Sequence, residues 1–333
     1  MSDPINQQVR LKSRPDGNPA AEHFEVVDGD MPEVGAGQIL CQARYLSLDP
    51  YMRGQISGRH ISGTINPGDV MRGETVSQVI QSNDPDIQVG DMVMHHGGWQ
   101  EYSVAEGKDV TKVDPRIDPA SLALGVMGMP GLTAYAGLFY LAEVKQDDVV
   151  LVSAASGAVG SMVGQMAKIQ GCRVIGIAGS DEKCDWLTDV AGFDGCINYK
   201  TQSLSEAITE HCPEGVDIYF DNVGGETLDA AMWQLALGAR VVLCGLMAQY
   251  NTDVIPPGPN PATIIKARAT VRGIVVYDHF DKKQEFLDRA TPWLDAGKIK
   301  YREDVSDGLN QAPAAFARLM QGQNFGKTII KIS

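Results

Sequence analysis

The chain has 333 residues, 44% of them hydrophobic, which is enough for two domains with ordinary globular cores. Its 28 basic and 42 acidic side chains leave a formal charge of −14, which argues against a nucleic acid or an anionic membrane as partner. No uninterrupted apolar run approaches the roughly 20 residues needed to span a bilayer, and MSDPINQQVR holds no apolar secretion segment, so a soluble cytoplasmic protein is expected.

In chain order, Val9 to Val113 reads as short strands: GQILCQARYLSL, ETVSQVIQS, VGDMVMHH and WQEYSVAEG. Turn-rich stretches such as Pro67-Gly68-Asp69 and Val89-Gly90-Asp91 separate them, which predicts a partly open barrel. The character changes near residue 120. From there to about 297 strands alternate with helices: DVVLV, a helix over 161–170, CRVIGIAGS, a helix over 182–191, DGCINYK, a helix over 204–211, VDIYFDNVG, a helix over 226–237, and ARVVLCG. Alternation on this scale predicts a doubly wound parallel sheet. The prolines of PPGPNPAT, residues 256–263, rule out a regular helix or central strand there and predict an extended loop. Ile274, Val275 and Val276 are strand-like, and the tail KTIIKIS is a short β-type segment returning to the first domain.

The most informative stretch is DVVLVSAASGAVGSMVG, residues 148–164. Val149 to Val152 are apolar without alternation, as in a parallel strand covered on both faces. Ala155, Gly157 and Gly160 then occupy the three small-residue positions of a dinucleotide fingerprint, with alanine replacing the first glycine. Small residues close the turn, admit backbone N–H groups to phosphate oxygens and let the helix pack on the strand; the helix offers its positive end to the anion. A tight strand–helix turn without ligand is the competing reading.

Six cysteines, Cys41, Cys172, Cys184, Cys196, Cys212 and Cys244, form no CxxC pair and no metal-type cluster. Cys172, Cys196 and Cys244 fall in predicted strands as small core residues. His95 and His96 precede Gly97-Gly98 in an expected loop, as solvated or structural side chains.

Several blocks in one order make the whole chain similar to the medium-chain dehydrogenase/reductase superfamily: LSLDPYMRG, GMPGLTAYAGL, AASGAVGSMVGQMAK, GSDEK, NYK, DNVGGE, CGLMAQYN and NFGKT. Within it the chain resembles the zinc-free leukotriene B4 dehydrogenase, prostaglandin reductase and alkenal double-bond reductase group, with its bacterial curcumin-reductase-like members. The resemblance implies an α/β architecture: a Rossmann domain over 121–299, and a GroES-like, partly open β-barrel domain formed by 1–120 plus 300–333. It also implies a homodimer, since relatives extend a sheet between subunits near residues 274–276.

Zinc-dependent relatives carry a Gly-His-Glu segment where this chain reads Met71-Arg72-Gly73-Glu74, and Cys41 has no matching ligand set, so no metal is expected. The second strand of the alternating region ends Ile177-Ala178-Gly179-Ser180, without the carboxylate that binds a ribose 2′-OH in NAD sites. Lys183 can neutralise the 2′-phosphate of NADP, and Ser180 and Tyr199 can donate to it. In the resembled family the lysine and tyrosine at these positions contact that phosphate. Asp181 and Glu182 read two ways, as carboxylates favouring NAD or as acids suited to a helix N-terminus. Lys183 has its own competing reading as a solvated helix residue.

The resemblance adds Ala158 and Val159 in the fingerprint, and Asn222 after the fourth strand. It also adds Cys244, Gly245 and Tyr250, then Ile274, Val276 and Tyr277, and Asn324, as residues lining the nicotinamide half of the site. Asn324 also reads as an ordinary turn residue.

The implied chemistry is reduction of an α,β-unsaturated aldehyde or ketone by NADPH. Hydride reaching the β-carbon makes an enolate, which needs a donor for its oxygen and a proton source. Tyr51 and Tyr250 match family positions facing substrate across the cleft between domains; phenols are neutral donors near neutral pH. The expected roles are enolate stabilisation by Tyr250 and substrate positioning or proton delivery by Tyr51, and these roles can be exchanged. Arg53 reads either as an anion anchor for an acidic substrate or, as the block resemblance implies, as a structural ion pair outside the catalytic set. An NADPH quinone reductase or allylic-alcohol dehydrogenase stands as the alternative chemistry, and a non-catalytic NADP-binding sensor as the alternative class.

Overall fold

The strands of the first hundred residues pair antiparallel. The computed structural model describes residues 5–252, 254–255 and 257–333, which divide into two compact units. One takes the described residues up to Gly125 together with Glu303–Ser333, and the other takes Val126–Arg302.

In the first unit β1 (Asn6–Leu11) pairs antiparallel with β2 (Phe24–Gly29). The ten-residue β3 (Gln38–Ser47) leads into α1 (Met52–Ser57), followed by β4 (Thr75–Ser82), β5 (Met92–His95), β6 (Tyr102–Glu106) and β7 (Thr111–Lys112). Ile39 and Cys41 of β3 are buried with Val79 and Val93 on one face. Trp99 is fully buried, its ring stacked on Phe24 at 5.6 Å and edge-on to Phe316 at 5.7 Å.

The second unit opens with α2 (Met129–Ala136) and then alternates: β8 (Val149–Val152), α3 (Ala158–Ile169), β9 (Arg173–Ala178), α4 (Asp181–Asp189), β10 (Gly195–Asn198), α5 (Leu204–His211), β11 (Val216–Asp221), α6 (Gly225–Trp233), β12 (Leu235–Leu243), α7 (Ala262–Ala267), β13 (Thr270–Gly273) and α8 (Lys283–Asp295). The six strands form one parallel sheet in the order β10-β9-β8-β11-β12-β13. Leu151, Ile175, Ile177, Ile197 and Val241 bury one face of this sheet against Ile208, Leu228 and Met232 of α5 and α6. Burying each such side chain contributes roughly 1.5–3 kcal/mol, so the continuous apolar runs hold the sheet.

The chain then returns to the first unit through β14 (Glu303–Asp307), α9 (Ala312–Met320) and β15 (Lys327–Lys331). β15 lies antiparallel to β3, and β14 lies parallel to β15. The fold class is therefore a doubly wound parallel sheet with a separate mixed sheet. Among the described residues no helix is long and apolar enough to cross a membrane.

Several local expectations change. The helix expected over 226–237 stops at Trp233, because Leu235 already pairs with Val216 in the sheet and tertiary pairing overrides the helix preference of leucine. The last parallel strand is Thr270–Gly273, not 274–276; Val276–Lys282 is a 3-10 turn. Of the expected loop 256–263, Pro256 lies outside the described residues, as do Met1–Pro4 of the N-terminal stretch, and α7 already begins at Ala262 after Pro261. His95 closes β5 rather than lying in a loop; it is buried, with Nε2 3.2 Å from Ser77 Oγ. Cys172 and Cys244 flank strands rather than lying within them, and Cys196 is not a free core thiol: it is half-buried and bonded to Cys184.

Candidate active site

The strand order reverses between β8 and β11, and the site residues of the second unit stand on the loops after the strands flanking that point. Ser153, just past β8, binds the loop after β11 twice. Its hydroxyl accepts the Asn222 amide at 2.8 Å, and its carbonyl accepts Asn222 Nδ2 at 2.8 Å. Beneath them the fully buried Asp221 accepts the hydroxyls of Tyr219 (2.7 Å) and Ser153 (2.8 Å) and the amides of Val223 and Gly224. Burial and the Asp221 charge hold the Tyr219 phenol protonated, well above its ordinary range.

Ala154 carries a positive φ of 46° and turns the chain out of β8. Ala155 is fully buried and gives its amide to Ile177 at 3.0 Å, so its small side chain closes the turn rather than facing a ligand. Of the two glycines of the turn, Gly160 has the tighter requirement: a Cβ there would lie 2.5 Å from Ala154 O and 2.8 Å from Ala155 Cα. Only glycine lets α3 approach the turn so closely. Gly157, Ala158 and Val159 are half-exposed at the start of α3, whose first amides have no intrahelical acceptor. This cradle of backbone donors fits a pyrophosphate.

A second cluster stands on the loops after β9 and β10. Ser180 caps α4, its hydroxyl accepting the Lys183 amide at 3.3 Å. A Cβ on Gly179 would lie 3.1 Å from Tyr199 Cε1 and 3.2 Å from its Oη, so the phenol rests on the bare glycine. It would also lie 3.4 Å from Lys200 Cε. Lys200 is thus a second cation at this corner. Sequence alone does not single it out, although the NYK block places it beside Tyr199. Both carboxylates read two ways above have partners here: Asp181 accepts Asn198 Nδ2 at 2.6 Å, and Glu182 lies 3.7 Å from Arg302. The corner therefore gathers the hydroxyls of Ser180 and Tyr199 with the Lys200 side chain, a donor set that fits a ribose 2′-phosphate.

Past β12, the amides of Cys244 and Gly245 donate to Asp221 O at 2.8 and 3.2 Å. Burial pushes the Cys244 thiol up to about 12, which makes it an inert wall. Tyr250 folds back over this loop: its hydroxyl accepts the Leu246 amide at 3.3 Å, and a Cβ on Gly245 would lie 3.4 Å from it. Burial raises the Tyr250 phenol above its ordinary value, so it is a neutral O–H near neutral pH. Ile274 is buried and continues from β13 with its amide on Leu243 O at 3.0 Å. Val276 and Tyr277 open the following 3-10 turn, where Tyr277 stands 5.5 Å from Phe280.

In the first unit Tyr51 precedes α1, its ring tilted against His60 at 5.2 Å between centroids. His60 Nδ1 accepts the Ser62 amide at 3.1 Å, and burial lowers its pKa. Two residues before Tyr51, Asp49 forms a buried ion pair with Lys327 at 2.6 Å, and Lys327 also donates to Leu48 O at 2.8 Å. Asn324 donates from Nδ2 to Gly326 O at 2.9 Å, which closes its own turn. The Arg53 guanidinium is buried and donates to the carbonyls of Gly17 (2.9 Å) and Pro15 (3.4 Å). Among the described residues no three His, Cys, Asp or Glu side chains gather as a metal site. The Cys41 thiol, inside β3, is pushed up to about 12 by burial.

Fold and turn together define a doubly wound α/β protein whose first strand–helix junction is shaped for a dinucleotide. Residues 7–113 match the family model described as N-terminal domain of oxidoreductase, and residues 158–293 match the model described as zinc-binding dehydrogenase. The chain is 42% identical to the NADPH-dependent curcumin reductase of Escherichia coli (strain K12), covering 98% of this chain and 97% of that protein. It is 44% identical to prostaglandin reductase 1 of Bos taurus, covering 96% and 97%. The crystal structure of CurA in complex with NADPH from Vibrio vulnificus superposes with a TM-score of 0.94 at 43% identity, covering 98% of this chain and 99% of that one. The chain belongs to the medium-chain dehydrogenase/reductase superfamily, in the group of the curcumin and prostaglandin reductases.

Proposed function

We propose that the protein is an NADPH-dependent reductase of the carbon–carbon double bond of α,β-unsaturated aldehydes and ketones, acting without a metal. The observation that carries this reading is Tyr250, a neutral phenol fixed by the Leu246 amide on the loop after β12. Names of full-length relatives, a curcumin reductase and a prostaglandin reductase, support the same chemistry.

The α3 amides and Asn222 would hold the pyrophosphate and nicotinamide side of NADPH, and Ser180, Lys183, Tyr199 and Lys200 its 2′-phosphate. Bound there, the cofactor supplies the hydride that the β-carbon receives. Charge then develops on the substrate carbonyl oxygen. Because the Leu246 amide takes only a lone pair of the Tyr250 hydroxyl, the phenolic proton is left to donate to that oxygen. Tyr51, steadied by the His60 ring, positions substrate or assists delivery of the proton to the α-carbon. The inert Cys244 thiol adds bulk without a competing nucleophile.

The enzyme is proposed as a cytoplasmic homodimer. β13 is an edge strand with all four residues exposed, followed by exposed Val275, Tyr277 and Phe280, a surface suited to sheet extension by a second copy. Sedimentation at twice the chain mass supports the dimer, and sedimentation as a monomer refutes it. A screen of NADPH and NADH oxidation with enals, enones and quinones, and of NADP+ and NAD+ reduction with allylic alcohols, tests the reaction. Turnover of enals and enones with NADPH is expected. Turnover confined to quinones or alcohols would reassign the activity, and NADPH binding without any turnover would make the protein a sensor.

A further inference from the structure

Cys184 and Cys196 are joined as a disulfide between α4 and β10, with 5.2 Å between their Cα atoms, a spacing within the ordinary disulfide range. Cys184 directly follows Lys183, and Cys196 precedes Tyr199 by three residues. Asp181 and Cys184 lie three apart on α4, hence on one helix face. Asn198 and Cys196 lie two apart on β10, hence on one side of the strand. The hydrogen bond between Asp181 and Asn198 and the bond between Cys184 and Cys196 therefore form two adjacent ties between the same surfaces. They fasten the helix turn bearing Ser180 and Lys183 to the strand end bearing Tyr199 and Lys200, which lies over Gly179.

We infer that this cysteine pair is an oxidation site that sets the affinity of the 2′-phosphate corner; the inference rests on the NADPH reading above. Both residues are half-buried, so small oxidants and thiols reach them. The other four cysteines stand apart as free thiols. In a reducing compartment a disulfide of this kind is a reversible sensor rather than a permanent staple. Hydrogen peroxide is the class of oxidant. One thiol takes an oxygen from the peroxide to become a sulfenic acid, releasing one water. The second sulfur then attacks the first, the S–S bond forms, and a second water leaves. Two thiols lose two electrons and two protons, and the peroxide is reduced to water. A dithiol such as dithiothreitol reverses the step by exchange.

With the disulfide closed, the donors of the corner are held in place before the phosphate arrives, and less order is lost on binding. With it open, that covalent tie is lost and the bond between Asp181 and Asn198 remains. NADH has no 2′-phosphate and should not sense the difference.

The test uses the full chain, oxidised with hydrogen peroxide or reduced with dithiothreitol, each then freed of reagent. Thiols are counted after denaturation, and NADPH and NADH dissociation constants are measured by fluorescence. Four thiols are expected after oxidation and six after reduction, since the chain holds six cysteines and four stand free beside the pair. The oxidised form should bind NADPH about fivefold more tightly, with NADH unchanged, an effect of preorganisation. Cys184→Ser and Cys196→Ser, made separately, should each keep the reduced affinity whether or not peroxide is added. Six thiols after peroxide, or equal NADPH affinities at four and six thiols, overturns the oxidation site while leaving the cofactor reading intact. Absence of NADPH binding in both forms overturns the cofactor reading and the inference with it.

Discussion

The Ser180 hydroxyl accepts the Lys183 backbone amide at 3.3 Å, which sets the first turn of α4 beside Tyr199 and Lys200 at the end of the parallel sheet. Removing the charge there should select against one cofactor only. Lys183→Gln is expected to weaken NADPH about tenfold, the lower end for a charged hydrogen bond, and to leave NADH within twofold. Fluorescence titration with both cofactors checks this. Equal weakening of NADPH and NADH would move the 2′-phosphate elsewhere.

Tyr250→Phe removes the hydroxyl fixed by the Leu246 amide and little else. If that hydroxyl acts on the developing enolate, kcat should fall by about 10²–10³, as for loss of a single oxyanion donor, while the NADPH dissociation constant stays within about twofold. A change in affinity with kcat unaltered would make Tyr250 a cofactor wall instead.

The ion pair between Asp49 and Lys327 is buried and keeps a Leu48 carbonyl satisfied. Breaking one side strands a buried charge, at a cost of about 3–5 kcal/mol. Lys327→Met alone should therefore lower the melting temperature by about 10 °C. The double variant Asp49→Leu with Lys327→Met should recover most of that loss, because both charges leave together. Calorimetry of the three proteins decides, and equal melting of wild type and single variant would show that the pair contributes nothing.

His95 has its pKa lowered to about 4, first by burial and then by the neighbouring His96. Above about pH 6.5, the ordinary histidine value, the side chain is neutral in both folded and unfolded chains and nothing is lost. As the pH falls from there towards 4 the unfolded chain takes up a proton that the folded chain refuses, so stability declines through that window. Between pH 7 and pH 5 the loss from this group is about 2 kcal/mol. Urea unfolding at the two pH values should show it, and His95→Asn should flatten the difference. An unchanged difference in His95→Asn would assign the acid sensitivity to other groups.

Much of the second unit was legible because its signals are local. The unbroken apolar run of Val149 to Val152 marks a strand covered on both faces, and the helix expected over 204–211 is the one found, Leu204–His211. The small residues of the turn also stood out, yet only the structure separates Gly160, which the packing demands, from Ala155, which is simply buried. Features made by topology were not legible. Cys184 and Cys196 are twelve residues apart with no recognisable spacing, and they meet because β10 pairs beside β9 and α4 follows β9. The strand at Thr270–Gly273 was missed in favour of the more apolar 274–276 because all four of its residues are exposed.

We propose hydride delivery to the β-carbon of an enone, with the Tyr250 hydroxyl donating to the carbonyl oxygen where charge develops. It is tested most directly by turnover of an α,β-unsaturated ketone with NADPH deuterated at the transferable C4 position, followed by NMR of the product. Deuterium on the β-carbon of a saturated ketone is the predicted result. Deuterium on the carbonyl carbon of an allylic alcohol would contradict it.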